Sequence, residues 1–198
     1  MKTVIVQPER CVGCMQCRFN CAVSHSKSKN IMSIFESPLS KPRIHIVLSS
    51  EKEPLPNKCR HCHPAPCENA CISRAIYRDE ATGIVLINPD RCINCGMCAM
   101  ACPFGVVRYH TYITGKMAAH KCDQCILRVK ENEKPACVEA CKVKALVFDD
   151  INKYIKEKEG ERVANLVYLG IREKKEFAET GYDLLKGYEK KLLALRRR

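Results

Sequence analysis

The chain has 198 residues, a formal net charge of +12, and 16 cysteines set against no tryptophan, seven tyrosines and five phenylalanines. This length allows one or two domains with a modest core, and so few rings exclude an interior organised by aromatic packing alone. Cysteine at this density means either a disulfide scaffold or a bound-metal skeleton, and the two are separated by redox compartment.

In chain order, the opening MKTVIVQPER holds a short strand, TVIV (3–6), and neither an apolar leader nor a twin-arginine pair, so a cytoplasmic chain with reduced thiols is expected. The first cysteine group follows as Cys11, Cys14, Cys17 and Cys21 (C-x2-C-x2-C-x3-C). Residues 22–58 form an insertion with a strand at 43–48 and a Pro-rich end at 54–56. The second group is Cys59, Cys62, Cys67 and Cys71 (C-x2-C-x4-C-x3-C). AIYR (75–78) and GIVLIN (83–88), separated by turn residues 79–82, read as a hairpin leading into Cys92, Cys95, Cys98 and Cys102. VVRYHTY (106–112) is the next strand, Cys122, Cys125, Cys137 and Cys141 form the fourth group, and ALVFDD (145–150) is the last strand. Residues 151–198 lack cysteine and place Val163, Leu166, Val167 and Ile171, then Leu184, Leu185, Tyr188, Leu192, Leu193 and Leu195, at helical spacing, with Arg196, Arg197 and Arg198 suited to a helix C-terminus. No run approaches the ~18 apolar residues of a membrane span, so no direct membrane anchor is expected.

The four groups use every cysteine. Structural zinc takes two separated C-x2-C pairs and gains nothing from three cysteines at successive x2 spacing. Iron–sulfur binding accounts for the whole pattern: three thiolates on one looping turn reach three irons of a cubane, and the fourth, about one helical turn further on, faces a neighbouring cluster. Four [4Fe-4S] clusters follow. With two negative charges added per site, the net charge would fall to about +4, which weakens the case for nucleic acid as a partner. Lys58, Arg60, Arg91 and Lys121 stand beside ligand cysteines, where cations offset anionic clusters. His61 and His63 read as ordinary loop side chains, His25 as part of a solvated loop, and Met15, Ile93 and Met97 as apolar packing that keeps water off the clusters.

These groups, with CRHCHPAPCENACISRAIYRDEATGIVLINPDRCINCGMCAMACPFGVV and KCDQCILRVKENEKPACVEACKVKAL, resemble the four-cluster ferredoxin-type electron-transfer subunits that accompany molybdenum and tungsten oxidoreductases, hydrogenases and carbon monoxide dehydrogenases. The resemblance implies an α+β fold of nested dicluster ferredoxin-like units. An outer unit (1–21 and 113–150) and an inner unit (59–112) make up a 1–150 domain with the insertion at 22–58, and a helical extension covers 151–198. It also implies four ligand sets: Cys11, Cys14 and Cys17 with Cys141; Cys122, Cys125 and Cys137 with Cys21; Cys59, Cys62 and Cys67 with Cys102; and Cys92, Cys95 and Cys98 with Cys71. Proline follows only Cys102 (Pro103), and Lys142 after Cys141 would let that cluster differ in potential.

The function expected is an electron conduit without catalytic residues, serving a catalytic oxidoreductase and a second redox protein. The endings CISRAI and CKVKAL are most similar to the iron–sulfur partner of carbon monoxide dehydrogenase. A tungsten, molybdenum or hydrogenase catalytic subunit is the alternative, and a cluster-based sensor that binds nucleic acid is a further one.

Overall fold

The computed structural model describes residues 2–50, 52–112 and 114–160, so the apolar helical faces expected within 163–195 lie outside the described residues. The chain divides into two compact units, 1–150 and 151–198, and residues 151–160 of the second are helical.

In the first unit β1 (Lys2–Val6) leads through a 3-10 turn (Pro8–Arg10) to α1 (Gln16–Ser24). The insertion supplies a second 3-10 turn (Ile31–Phe35) and the ribbon β2 (Ile44–Leu48) and β3 (Pro54–Lys58). Then come α2 (Pro66–Asn69), the hairpin β4 (Ile76–Arg78) and β5 (Val85–Ile87), a 3-10 turn (Pro89–Arg91) and α3 (Met97–Met100). A second hairpin, β6 (Arg108–Thr111) and β7 (Met117–His120), precedes α4 (Ile126–Lys130), α5 (Ala136–Glu139) and β8 (Leu146–Asp150). All strands pair antiparallel in twos, and the first strand closes on the last: Val4 lies opposite Phe148 and Val6 opposite Leu146.

Local chemistry repeats from one cysteine group to another. Pro8 and Pro89 each start a 3-10 turn, where a missing N–H costs nothing, and the N–H of Cys11 and of Cys92 donates back to the proline carbonyl at 2.9 and 3.2 Å. The residue two beyond each group's first cysteine is left-handed: Gly13 (φ +70°), His61 (+51°), Asn94 (+59°) and Gln124 (+55°). Only Gly13 also needs the space, since a Cβ there would meet the Cβ of Pro54 at 3.3 Å. Three residues beyond the fourth cysteine, Arg74, Gly105 and Lys144 are again left-handed, and each returns its N–H to that cysteine's carbonyl. This turn releases the chain into β4, toward β6 and into β8. Group one lacks it because α1 continues past Cys21 to Ser24, so its chain runs on into the insertion.

Three expectations change. The Pro-rich end of the insertion is a strand: Pro54 and Pro56 sit at alternate positions of β3, opposite Leu48 and Ile46, so both missing donors fall on one edge of a two-stranded ribbon. β7 carried no strand signal because its central residues are alanines. Ala118 and Ala119 are fully buried, and the Ala119 N–H reaches the Cys92 sulfur at 3.5 Å, so there is no room for larger side chains. Val106 and Val107 precede β6 rather than belong to it, and both are buried in the core.

The apolar core is threaded by cysteine throughout. Val4, Ile44 and Leu146 pack with Cys17, Cys21 and Cys137; Ile76, Val85 and Val107 pack with Cys92 and Cys98; and Val106 lies between Cys59 and Cys122. Ile44, 1% exposed, anchors the insertion to the first of these. Ile44→Ala should destabilise the unit by about 2–5 kcal/mol, read as a lowered urea midpoint by circular dichroism under anaerobic conditions, whereas the exposed Leu48→Ala should shift it little.

Candidate metal centres

All sixteen cysteines are free, so none is used as a disulfide. The short helices bring them together from groups that are distant in sequence. α1 carries Cys17 and Cys21, α5 carries Cys137 with Cys141 just beyond it, and the two helices pack on each other. α2 carries Cys67 and α3 carries Cys98, with Cys71 and Cys102 just past their C-termini, and these helices also pack together.

Electrostatics identifies the neighbours of each sulfur. Burial pushes the Cys17 thiol up to about 11, with Cys141, Cys11 and Cys14 acting in the same sense. Burial also raises the thiols of Cys21 and Cys137, Cys21 having Cys122 and Cys125 as neighbours and Cys137 having Cys122, Cys21 and Cys125. Cys67 rises to about 11 through burial, with Cys59 and Cys102 adding to it against the cation of Lys121. Those three and Cys62 line one cavity. Cys98 is raised by burial and has Cys92 and Cys71 beside it, while the Tyr109 hydroxyl is raised by burial and by Cys98, Cys92 and Cys95. The buried thiols, at least one from every cysteine group, thus lie where a lone thiolate would be costly, the setting a cationic metal core relieves.

Backbone donors already point at these sulfurs. The N–H groups of His61 and Gln124 donate to Cys59 and Cys122 at 3.4 Å, that of Arg43 to Cys21 at 3.3 Å, and the Tyr109 hydroxyl lies 3.6 Å from Cys98 Sγ. The left-handed residues at 61 and 124 turn those N–H groups back toward the first cysteine of their group. The residues fit iron–sulfur cores: soft sulfur ligands in fours with hydrogen bonds to sulfur.

The cations separate into two kinds. Lys58 (2% exposed) donates to the carbonyl of Cys59 at 3.2 Å, and Lys121 (4% exposed) donates to that of Val85, so both are buried at the seam between Cys59 and Cys122. Arg60 and Arg91 are exposed.

Three of the histidine and apolar readings need correction. His61 is buried; its Nδ1 accepts the Val85 N–H at 3.2 Å, and burial, with Lys121 and Lys58 nearby, holds its pKa down to about 3. His25 is not solvated either: its ring lies 2.8 Å from the Cys21 carbonyl and 3.0 Å from Asp123, which also binds Arg43 at 2.6 Å. Burial pushes the Asp123 carboxyl up, but His25 and Arg43 together outweigh it and hold the group ionised. Met15, Ile93 and Met97 are 45%, 62% and 41% exposed, so they cap the cysteine loops on the outside rather than seal them within. His63 is exposed, as a loop side chain should be.

The 4Fe-4S dicluster domain matches residues 51–151, about half of the chain, and a 4Fe-4S binding domain matches residues 8–24. The chain belongs to the 4Fe-4S dicluster family. It is 35% identical over 160 residues to an iron-sulfur protein of Rhodospirillum rubrum, covering 76% of this chain and 83% of that one. Over 162 residues it is 36% identical to the electron transport protein HydN of Escherichia coli strain K12, covering 76% and 89% of the two chains. An uncharacterized ferredoxin of Methanocaldococcus jannaschii is 33% identical over 168 residues, covering 84% and 93%. In this 4Fe-4S dicluster protein the sixteen cysteines fit four [4Fe-4S] clusters. No helix among the described residues is long and apolar enough to cross a membrane.

Lys121→Met removes a buried cation beside the Cys67 set. It should lower that cluster's reduction potential by on the order of 0.1 V, as one charge does at a few ångströms in an effective dielectric near 20, while Lys121→Arg holds it closer to the wild-type value; an EPR-monitored redox titration reads the shift.

Proposed function

We propose that this chain relays single electrons between a catalytic oxidoreductase and a second redox protein, and that its own residues hold and tune the carriers rather than react. Each cluster, when bound, takes up and releases one electron. The ligand sets are those implied by the family resemblance: Cys11, Cys14, Cys17 and Cys141; Cys21, Cys122, Cys125 and Cys137; Cys59, Cys62, Cys67 and Cys102; and Cys71, Cys92, Cys95 and Cys98. Support comes from the neighbours of several thiols: Cys17 has Cys11, Cys14 and Cys141 beside it, Cys137 has Cys21, Cys122 and Cys125, Cys67 has Cys59 and Cys102, and Cys98 has Cys71 and Cys92. On this reading 1–21 with 113–150 is an outer dicluster unit, 59–112 an inner one, 22–58 an insertion and 151–198 an extension.

The observation that carries the reading is the contact between the two units. Cys59 and Cys122, from different units, pack together on Val106 in one small core. α1 with α5 joins the first set to the second, the Cys59–Cys122 contact joins the second to the third, and α2 with α3 joins the third to the fourth. On this reading the four sets adjoin one another in series, and a series of carriers in one small unit suits conduction rather than storage or chemistry.

For the catalytic partner, the resemblance of CISRAI and CKVKAL supports carbon monoxide dehydrogenase first, with a tungsten or molybdenum oxidoreductase or a hydrogenase as the alternative. The name of the similar HydN supports electron transport without choosing among them.

With oxygen-free, cluster-loaded protein, catalytic amounts of carbon monoxide dehydrogenase under carbon monoxide should bleach the cluster absorption. Bleaching instead by formate dehydrogenase with formate or by hydrogenase with hydrogen selects the alternative. Loaded protein that none of the three reduces, and that binds DNA in a salt-sensitive, redox-dependent way, contradicts the relay. The ligand sets have their own check: Cys71→Ser and Cys98→Ser should perturb the same EPR signal, whereas Cys71→Ser and Cys67→Ser should perturb different ones.

A further inference from the structure

The insertion carries a built but uncovered apolar surface. In the 3-10 turn Ile31–Phe35, Ser33 alone is buried, while Ile31, Met32, Ile34 and Phe35, joined by Leu39, are 46–77% exposed. The turn is held in this attitude deliberately. Asn30 caps it by accepting the Met32 N–H at 2.9 Å, and the Glu36 carboxylate accepts the N–H groups of Lys27 and Ser28 at 3.0 and 2.7 Å. Both ends of the loop are fastened to the helix that bears Cys21. Ser26 Oγ donates to the Val23 carbonyl at 2.6 Å, Ser40 Oγ donates to the Ala22 carbonyl at 2.8 Å, and the Arg43 N–H donates to the Cys21 sulfur itself at 3.3 Å.

Around this apolar centre the charge is positive. Lys27, Lys29 and Lys41 are exposed on the loop, and beneath it a cavity of about 90 Å³ is lined by Lys27, Lys41, Arg43, His25, His110 and His120. Glu36 also lines it, but its oxygens are taken up by the loop's own N–H groups. His110 feels the excess: burial first, then Lys41 and Arg43, hold its pKa below the usual histidine range. Apolar anchors inside a predominantly basic rim are the layout of a protein-binding surface that recognises its partner by opposite charge.

Charge also discriminates among occupants. Residues 161–198 carry ten Lys and Arg against six Asp and Glu, so this chain's own tail would bring more positive charge to a basic rim. A second copy meeting the same face across a two-fold axis would set Lys27, Lys29 and Lys41 against themselves. We propose that the 26–41 loop is the docking surface for an acidic redox protein with an apolar centre, which exchanges electrons through the cluster that Cys21 helps to hold. This rests on the relay reading and names the class of one of its partners.

The test uses full-length, cluster-loaded protein and flavodoxin hydroquinone as an acidic probe. Each productive encounter moves one electron from the flavin, leaving its semiquinone, to a cluster. Stopped-flow rates at low ionic strength are compared for wild type, for Phe35→Ser with Ile31→Ser, and for Lys27→Glu with Lys29→Glu and Lys41→Glu. Iron content and reduction by methyl viologen, which needs no docking, serve as the reference. The proposal expects each variant to be about tenfold slower with flavodoxin, with viologen reduction and iron unchanged, and carbodiimide cross-links from Lys27, Lys29 or Lys41 to flavodoxin carboxylates. Equal flavodoxin rates overturn it, as do cross-links running instead to residues 161–198 or to a second copy. Loss of iron or of viologen reduction in the wild type would sink the relay reading itself, a different result from either.

Discussion

A thiol buried in protein gives up its proton only if a cation is there to meet it, and the first unit of this chain is arranged around sixteen cysteines, eight of them buried. Burial raises Cys17, Cys67 and Cys125 to about 11, and Cys137 well beyond the ordinary thiol value. No single loop supplies four of them in one place. Cys17 has Cys141 beside it, and Cys67 has Cys102. The closure of β1 on β8, the hairpin of β4 and β5, and the packing of α1 on α5 and α2 on α3 are the means by which these distant segments converge. Large rings are not needed at the centre of such a molecule, because sulfur and small aliphatic groups such as Ala118, Ala119 and Val106 occupy it.

Placing several anionic centres in a small volume creates a second demand, answered by two buried lysines. Lys58 and Lys121 direct their charge into the interior beside Cys59 and Cys122, each tied by a backbone carbonyl. The exposed arginines at 60 and 91 cannot act at such short range through solvent. Because α1 runs past Cys21 to Ser24, the chain after the first cysteine group continues into a loop, and that loop carries the apolar and basic surface.

Much of this was legible in the residues themselves. Cysteine spacing is dictated by ligand geometry, which keeps the first x2 and last x3 gaps the same in all four groups, and the β-branched runs TVIV and GIVLIN announced their strands. What escaped depends on tertiary neighbours. MAAH forms β7 because only alanine fits against Cys92. PLPNK pairs because its prolines fall on one edge of a ribbon. His61 and His25 are drawn in by partners distant in sequence, the Val85 N–H for one and Asp123 for the other, which no local propensity records.

The central claim is that every thiolate is committed to a cubane. Its most direct measurement is iron and acid-labile sulfide per chain on anaerobically purified, ⁵⁷Fe-loaded protein, with Mössbauer spectra on the same sample. Four cysteines per cluster and sixteen cysteines predict about sixteen irons, all in [4Fe-4S] environments. Stoichiometric zinc, or iron that saturates at half that value with unreacted thiols left over, would contradict it.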